Sequence, residues 1–120
     1  MEEEGSSDRA PGKTTIAPGV LVTIARLTAL RVPGVARLAN LPGGVNRLFH
    51  RGSGEGVRIE VEENSVAVDL YVILAREVNV RMVCERIQSE VTRAIHDMVA
   101  MDVKQVDVHV MDVSYDEPAQ

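Results

Sequence analysis

Apolar and polar residues alternate with a period of two in three stretches of this chain. Val57, Ile59 and Val61 alternate with Arg58, Glu60 and Glu62. Val66, Val68, Leu70, Val72 and Leu74 alternate with Ala67, Asp69, Tyr71 and Ile73. Nearer the end, Val106, Val108 and Val110 alternate with Asp107, His109 and Met111. Successive side chains of a strand point to opposite faces, so this period predicts three strands, the last ending near Val113. Glu63–Asn64 separates the first two as a hairpin turn, with Asn64 suited to positive φ. A two-residue turn fixes the register: Glu62 pairs with Ser65, Ile59 with Val68 and Arg58 with Asp69. The last pair sets opposite charges across the outward face, worth ~0.2–1 kcal/mol.

Helical spacing governs two other stretches. Val80, Val83, Cys84, Ile87, Val91, Ala94, Ile95, Met98 and Val99 form an apolar stripe behind a capping Asn79. The opposite face carries Arg81, Glu85, Gln88, Ser89, Thr92, Arg93, His96 and Asp97. Earlier, Pro18 suits a first helical turn, and Val20, Leu21, Ile24, Leu27 and Leu30 predict a buried stripe to about Arg31, stopped by Pro33–Gly34. Ala17 offers this helix no capping oxygen. Short strands are expected at Thr14–Ile16 and Val35–Ala39. Within residues 40–56, Leu41, Val45, Leu48 and Phe49 suggest a short amphipathic helix with a flexible exit over Gly52–Gly56.

The expected order is strand, helix, strand, short helix, hairpin, long helix, strand. That is an α+β two-layer sandwich, a small mixed sheet with helices packed on one face. Residues 1–13 read as a disordered leader, 14–113 as a single domain and 114–120 as a polar tail.

Charge changes the picture from fold to surface. Residues 14–54 hold five arginines and no Asp or Glu, whereas 55–120 hold 14 acids against 6 basic residues. The field is therefore bipolar, suited to binding or assembly, although the whole chain stands at −5. That balance disfavours sequence-independent nucleic-acid binding, which needs a net positive face. No stretch approaches the roughly 18 apolar residues of a membrane span, and the acidic start MEEEGSSDRAPGK lacks a signal-peptide pattern. Secretion and membrane insertion are not expected. One cysteine, Cys84, excludes an intrachain disulfide framework and fits a reducing cytoplasm.

Candidate chemistry is thin. Gly12-Lys13-Thr14-Thr15 resembles the end of a phosphate loop, but Ser7 stands where the motif needs its first glycine, and no strand precedes it. Gly52-Ser53-Gly54-Glu55-Gly56 leads into a strand, so no helix N-terminus waits for a pyrophosphate. His50, His96 and His109 are too scattered for a metal motif. Cys84 falls on an apolar stripe as a small core residue, and the carboxylate pairs Glu62–Glu63 and Asp116–Glu117 sit where turns and tails place charge. No catalytic, cofactor-binding or metal-ligating residue is assigned. The best contact candidate is Arg47, Leu48, Phe49, His50 and Arg51: one aromatic, two guanidiniums and a titratable imidazole. It suits an acidic partner, an anionic surface, or the acidic lobe of a second copy docked head to tail.

Several segments in order carry a family likeness: Val32-Pro33-Gly34-Val35, Gly56-Val57-Arg58-Ile59-Glu60-Val61, Val66-Ala67-Val68-Asp69-Leu70-Tyr71-Val72, Asn79-Val80, Ile87-Gln88-Ser89-Glu90-Val91 and Val106-Asp107-Val108-His109-Val110. From about Gly12 to Val113 the chain resembles the alkaline shock protein 23 family, found mainly in Gram-positive bacteria and associated with the cell-envelope stress response. Two positions depart from its pattern. Arg76-Glu77-Val78 replaces a Tyr-Gly step, and Ala17 replaces a capping residue. The resemblance implies a non-enzymatic cytoplasmic scaffold or adaptor without cofactors. Such a protein self-associates and docks on a protein partner, in some relatives a membrane-anchored one. An alternative it implies is a regulator of fatty-acid synthesis binding an enzyme such as acetyl-CoA carboxylase. The basic 14–54 lobe itself suggests an RNA-binding module. The scarcity of aromatics opposes that reading, since single-stranded bases stack on rings.

Overall fold

The computed structural model describes residues 11–40, 51–54 and 56–118. Its elements are α1 (Pro18–Arg31), β1 (Val35–Leu38), β2 (Arg51–Gly54), β3 (Val57–Glu62), β4 (Ser65–Arg76), α2 (Val80–Val99) and β5 (Asp102–Pro118). The strands form one mixed sheet. β4 lies between β5, which runs parallel to it, and an edge shared by β3 and β1, both antiparallel; β2 pairs with β3 outside. Both helices cover one face, giving the expected two-layer α+β sandwich. β4, α2 and β5 form a parallel crossover unit, and α2 supplies the connection that parallel neighbours require.

The β3–β4 hairpin has the register expected from its turn, including Arg58 opposite Asp69 and Ile59 opposite Val68. Positive φ falls at Glu63 (55°), not at Asn64. The partner change along β4 occurs at Tyr71. Its N–H donates to the Gly56 carbonyl at 2.8 Å and its carbonyl accepts from Ala39 N–H at 2.8 Å. Gly56 is fixed there by its surroundings. At φ 69°, a Cβ would stand 2.7 Å from Leu38 Cβ and 2.8 Å from the carbonyl oxygens of both Ala39 and Tyr71.

Alternation builds the core. The inward residues of β4, Val66, Val68, Leu70, Val72 and Leu74, are all buried, as are Val57 and Ile59 of β3. Val83, Ile87, Val91 and Ile95 of α2 close over them. Asn79 caps α2 by accepting from Met82 N–H at 3.0 Å, and the face from Arg81 to Asp97 expected to be polar is exposed, as predicted. α1 begins at Pro18 without a side-chain cap, as expected.

Its buried face differs from the expected stripe. Leu21, Val22, Ile24, Ala25 and Ala29 are buried, while Val20, Leu27 and Leu30 are exposed. α1 is apolar around most of its circumference, so periodicity does not choose a face. Ala25 and Ala29 are fully buried, so the face with the small residues packs inward, where close packing favours it.

Three further expectations are corrected. Thr14–Ile16 forms no strand; it lies exposed with no sheet neighbour. Of the flexible exit expected over Gly52–Gly56, residues 52–54 belong instead to β2, which pairs Arg51 with Glu60 through Gly54 with Val57. The final strand does not end near Val113 but runs to Pro118, and begins earlier, at Asp102. The short helix expected across residues 40–56 falls largely on 41–50, outside the described residues.

Candidate interaction site

The sheet face turned away from the helices gathers residues from three strands. The parallel register sets Tyr71 beside His109 and Asp69 beside Asp107. His109 stacks on Tyr71 with ring centroids 4.5 Å apart and planes 17° from parallel. Its Nε2 lies 3.1 Å from Asp69 Oδ1. The Arg58 guanidinium stands 5.5 Å from the centre of the Tyr71 ring, within cation–π range. Arg58 and Asp69 are therefore opposite in register but not an ion pair: Asp69 serves His109, and Arg58 turns to the tyrosine. Among the described residues the buried Arg58 Nε finds no hydrogen-bond acceptor. This cluster is half-buried, with a donor, an imidazole and a carboxylate presented to whatever meets the face.

Alternation placed His109 and Asp107 on the outward side of the last strand. The Asp69–His109–Tyr71 set was missed because it depends on how β5 lies along β4. The signal available was the β4–α2–β5 order, since a crossover helix makes its flanking strands parallel and often adjacent. The register itself could not be read from it.

The helical layer offers a second surface. Val20, Ile24 and Leu27 of α1 face Met98 and Val99 of α2 across a groove whose polar margin includes Thr23 and Arg31. Leu27 is 45% exposed and Met98 69%. At the far end of the sheet, Lys104 Nζ bonds Glu62 Oε1 at 2.8 Å and joins β5 to the hairpin. The Lys104 ammonium beside Glu62 holds its carboxyl below the ordinary carboxylate range, and Glu62 in turn raises Lys104.

Arg47, Leu48, Phe49 and His50 lie outside the described residues; of Arg51 only the backbone, in β2, is described. Cys84 is half-buried on α2, and burial pushes its thiol up, away from the thiolate. His96 is exposed, its Nδ1 3.6 Å from Asp97. Among the described residues no three His, Cys, Asp or Glu side chains converge on a point that could hold a metal ion. Among them, too, no helix is long and apolar enough to cross a membrane.

The family model described as the alkaline shock protein 23 family, cell envelope-related function, matches residues 6–115. The chain belongs to the alkaline shock protein 23 family. The match takes in both helices, the whole β3–β4 hairpin and β5 as far as Tyr115, so both surfaces lie on the family's domain. A curated relative, the uncharacterized protein YqhY of Bacillus subtilis (strain 168), is 27% identical over 111 residues, covering 91% of this chain and 82% of its own. No solved structure matches the chain with significance. The description of the alkaline shock protein 23 family names the cell envelope and no reaction.

Proposed function

We propose that this chain is a non-enzymatic scaffold or adaptor serving the cell envelope from the cytoplasmic side, working by self-association and by docking on a protein partner. Family membership over residues 6–115 carries the reading. The surfaces support it: an apolar groove on the helical layer, an open sheet face bearing Arg58, Tyr71 and His109, and a bipolar charge distribution that favours oriented contacts. The Arg47–Arg51 segment is proposed as one of its contacts, meeting an acidic surface.

Affinity capture of the tagged full chain from native lysate, split into envelope and soluble fractions, tests this. Envelope proteins and untagged copies of the chain are the expected recovery. Carboxylase subunits in stoichiometric yield would instead make it a regulator of lipid synthesis, and ribosomal material an RNA-binding module. A monomer recovered alone from both fractions would overturn the proposal.

A further inference from the structure

β5 leaves one edge of the sheet open. It pairs with β4 along one side, and among the described residues no strand lies along the other. Natural edges are blunted by bulges and charges, because unpaired N–H and C=O groups recruit further strands. Here the ladder to β4 is irregular at Lys104 and again at Met111, but regular from Gln105 to Val110. Within that window the inward-facing Val108 and Val110 remain only half-buried, although their β4 neighbours Leu70 and Val72 are fully buried. One more strand alongside would cover them.

The sequence of this edge complements itself. An antiparallel neighbour must oppose residues of the same face, so a two-fold pairing of β5 with another β5 has its centre on a residue. Centred on Val108, it sets Val106 against Val110 and Asp107 against His109, all within the regular window. Centred one residue earlier, it forces Asp107 against itself; one residue later, His109 against itself. Charge thus selects one register of the three.

We infer that β5 is a self-pairing edge: a second copy of the chain adds its β5 antiparallel to this one, in the two-fold register centred on Val108. The inference rests on the scaffold reading for its expectation of self-association and supplies the contact. A two-fold axis normal to the sheet keeps both helical layers on one face and makes the outer faces continuous. Each His109, already 3.1 Å from its own Asp69, then also meets Asp107 of the other copy. Within the window the Val106 carbonyl already accepts from Gln88 Nε2 of α2 at 3.1 Å, so the added strand shares that acceptor and takes its remaining lone pair. Because the contact is isologous it closes on itself. A longer assembly needs a second one, such as the proposed head-to-tail docking of Arg47 and Arg51.

Single-cysteine full chains carrying Asp107→Cys or His109→Cys, both in a Cys84→Ala background, test the register. Directly opposed residues on antiparallel strands lie within the Cα separation a disulfide accepts, roughly 4.5–5.5 Å. Under a glutathione redox buffer, mixing the two chains is expected to give the mixed disulfide in excess over either homodimer. A dominant Asp107→Cys homodimer, or a dominant His109→Cys homodimer, would overturn the register. As a second handle, Asp107→Lys is expected to weaken dimerisation about two- to thirty-fold, since two symmetry-related pairs are lost. Adding His109→Glu to it should restore association. If the parent chain self-associates in sedimentation yet none of these variants cross-links or weakens it, the edge inference falls and the scaffold reading stands. A parent that stays monomeric overturns both.

Discussion

Replacing Gly56 with alanine adds one carbon at the point where β4 changes partner, and the structure makes its cost calculable. The residue sits at φ 69°, a conformation that costs a side-chain-bearing residue roughly 1–2 kcal/mol. The new Cβ would approach Leu38 Cβ at 2.7 Å and two carbonyl oxygens at 2.8 Å. Those oxygens belong to main chain in and beside β1 and β4, so no side-chain rotation relieves the contact. Relief requires β1 to move away from β3, which strains the bonds from Tyr71 N–H to Gly56 and from Ala39 N–H to Tyr71. Each is worth about 0.5–1.5 kcal/mol net. The expected loss is about 2–4 kcal/mol, or roughly 10 °C or more in melting temperature for a domain of this size. Gly19→Ala is the control: a Cβ there meets nothing within 4 Å, and the position is helical. That exchange should stabilise by roughly 0.5–1 kcal/mol. Urea unfolding followed by circular dichroism measures both. A Gly56→Ala curve superimposing on the parent would refute the close approach of Gly56 to Leu38, Ala39 and Tyr71.

Ile87→Ala removes a fully buried side chain from the middle of α2 and should cost ~2–5 kcal/mol in the same unfolding assay; an unchanged midpoint would mean this face is not the core. Arg58→Asp sets two carboxylates opposite each other at Asp69 and should lower stability by ~0.2–1 kcal/mol. Exchanging the two charges should recover only part of that loss, because His109 then loses its carboxylate partner. Full recovery in thermal melts would show that Asp69 serves Arg58 after all. For Glu62 and Lys104 the signs are opposite. The lowered Glu62 adds stability above its unfolded pKa and loses it as pH falls through the folded value. The raised Lys104 adds stability below its unfolded pKa and loses it as pH rises through the folded value. Both groups are solvent-exposed, so Lys104→Ala should barely move the melting curve at neutral pH. An NMR titration should nonetheless show the Glu62 carboxyl returning upward, and an unmoved Glu62 would mean the pair does not form in solution.

Much of the fold was legible because local signals agreed. The β3–β4 register followed from a period of two interrupted by two residues, and α2 from an apolar stripe behind a capping asparagine. α1 was legible as a helix but not in its orientation, since Val20, Leu27 and Leu30 compete with Leu21, Ile24 and Ala25 for the core. Tertiary packing, which buries Ala25 and Ala29 completely, decides between them. β2 was hidden because Arg51-Gly52-Ser53-Gly54 has little strand propensity of its own and becomes a strand by pairing with β3. The end of β5 is hidden too: Asp116-Glu117-Pro118 looks like a tail, but the strand runs to Pro118, which stands opposite Arg76. The outward cluster of Asp69, Tyr71 and His109 could not be read at all without the β4–β5 register.

The central claim is that this member of a cell-envelope family acts by assembling rather than by transforming a substrate. Sedimentation velocity of the full chain over a wide concentration range at physiological salt tests it most directly. The account predicts a concentration-dependent rise from monomer to dimer and larger species, reduced by Asp107→Lys. A single monomeric boundary at every concentration would contradict it.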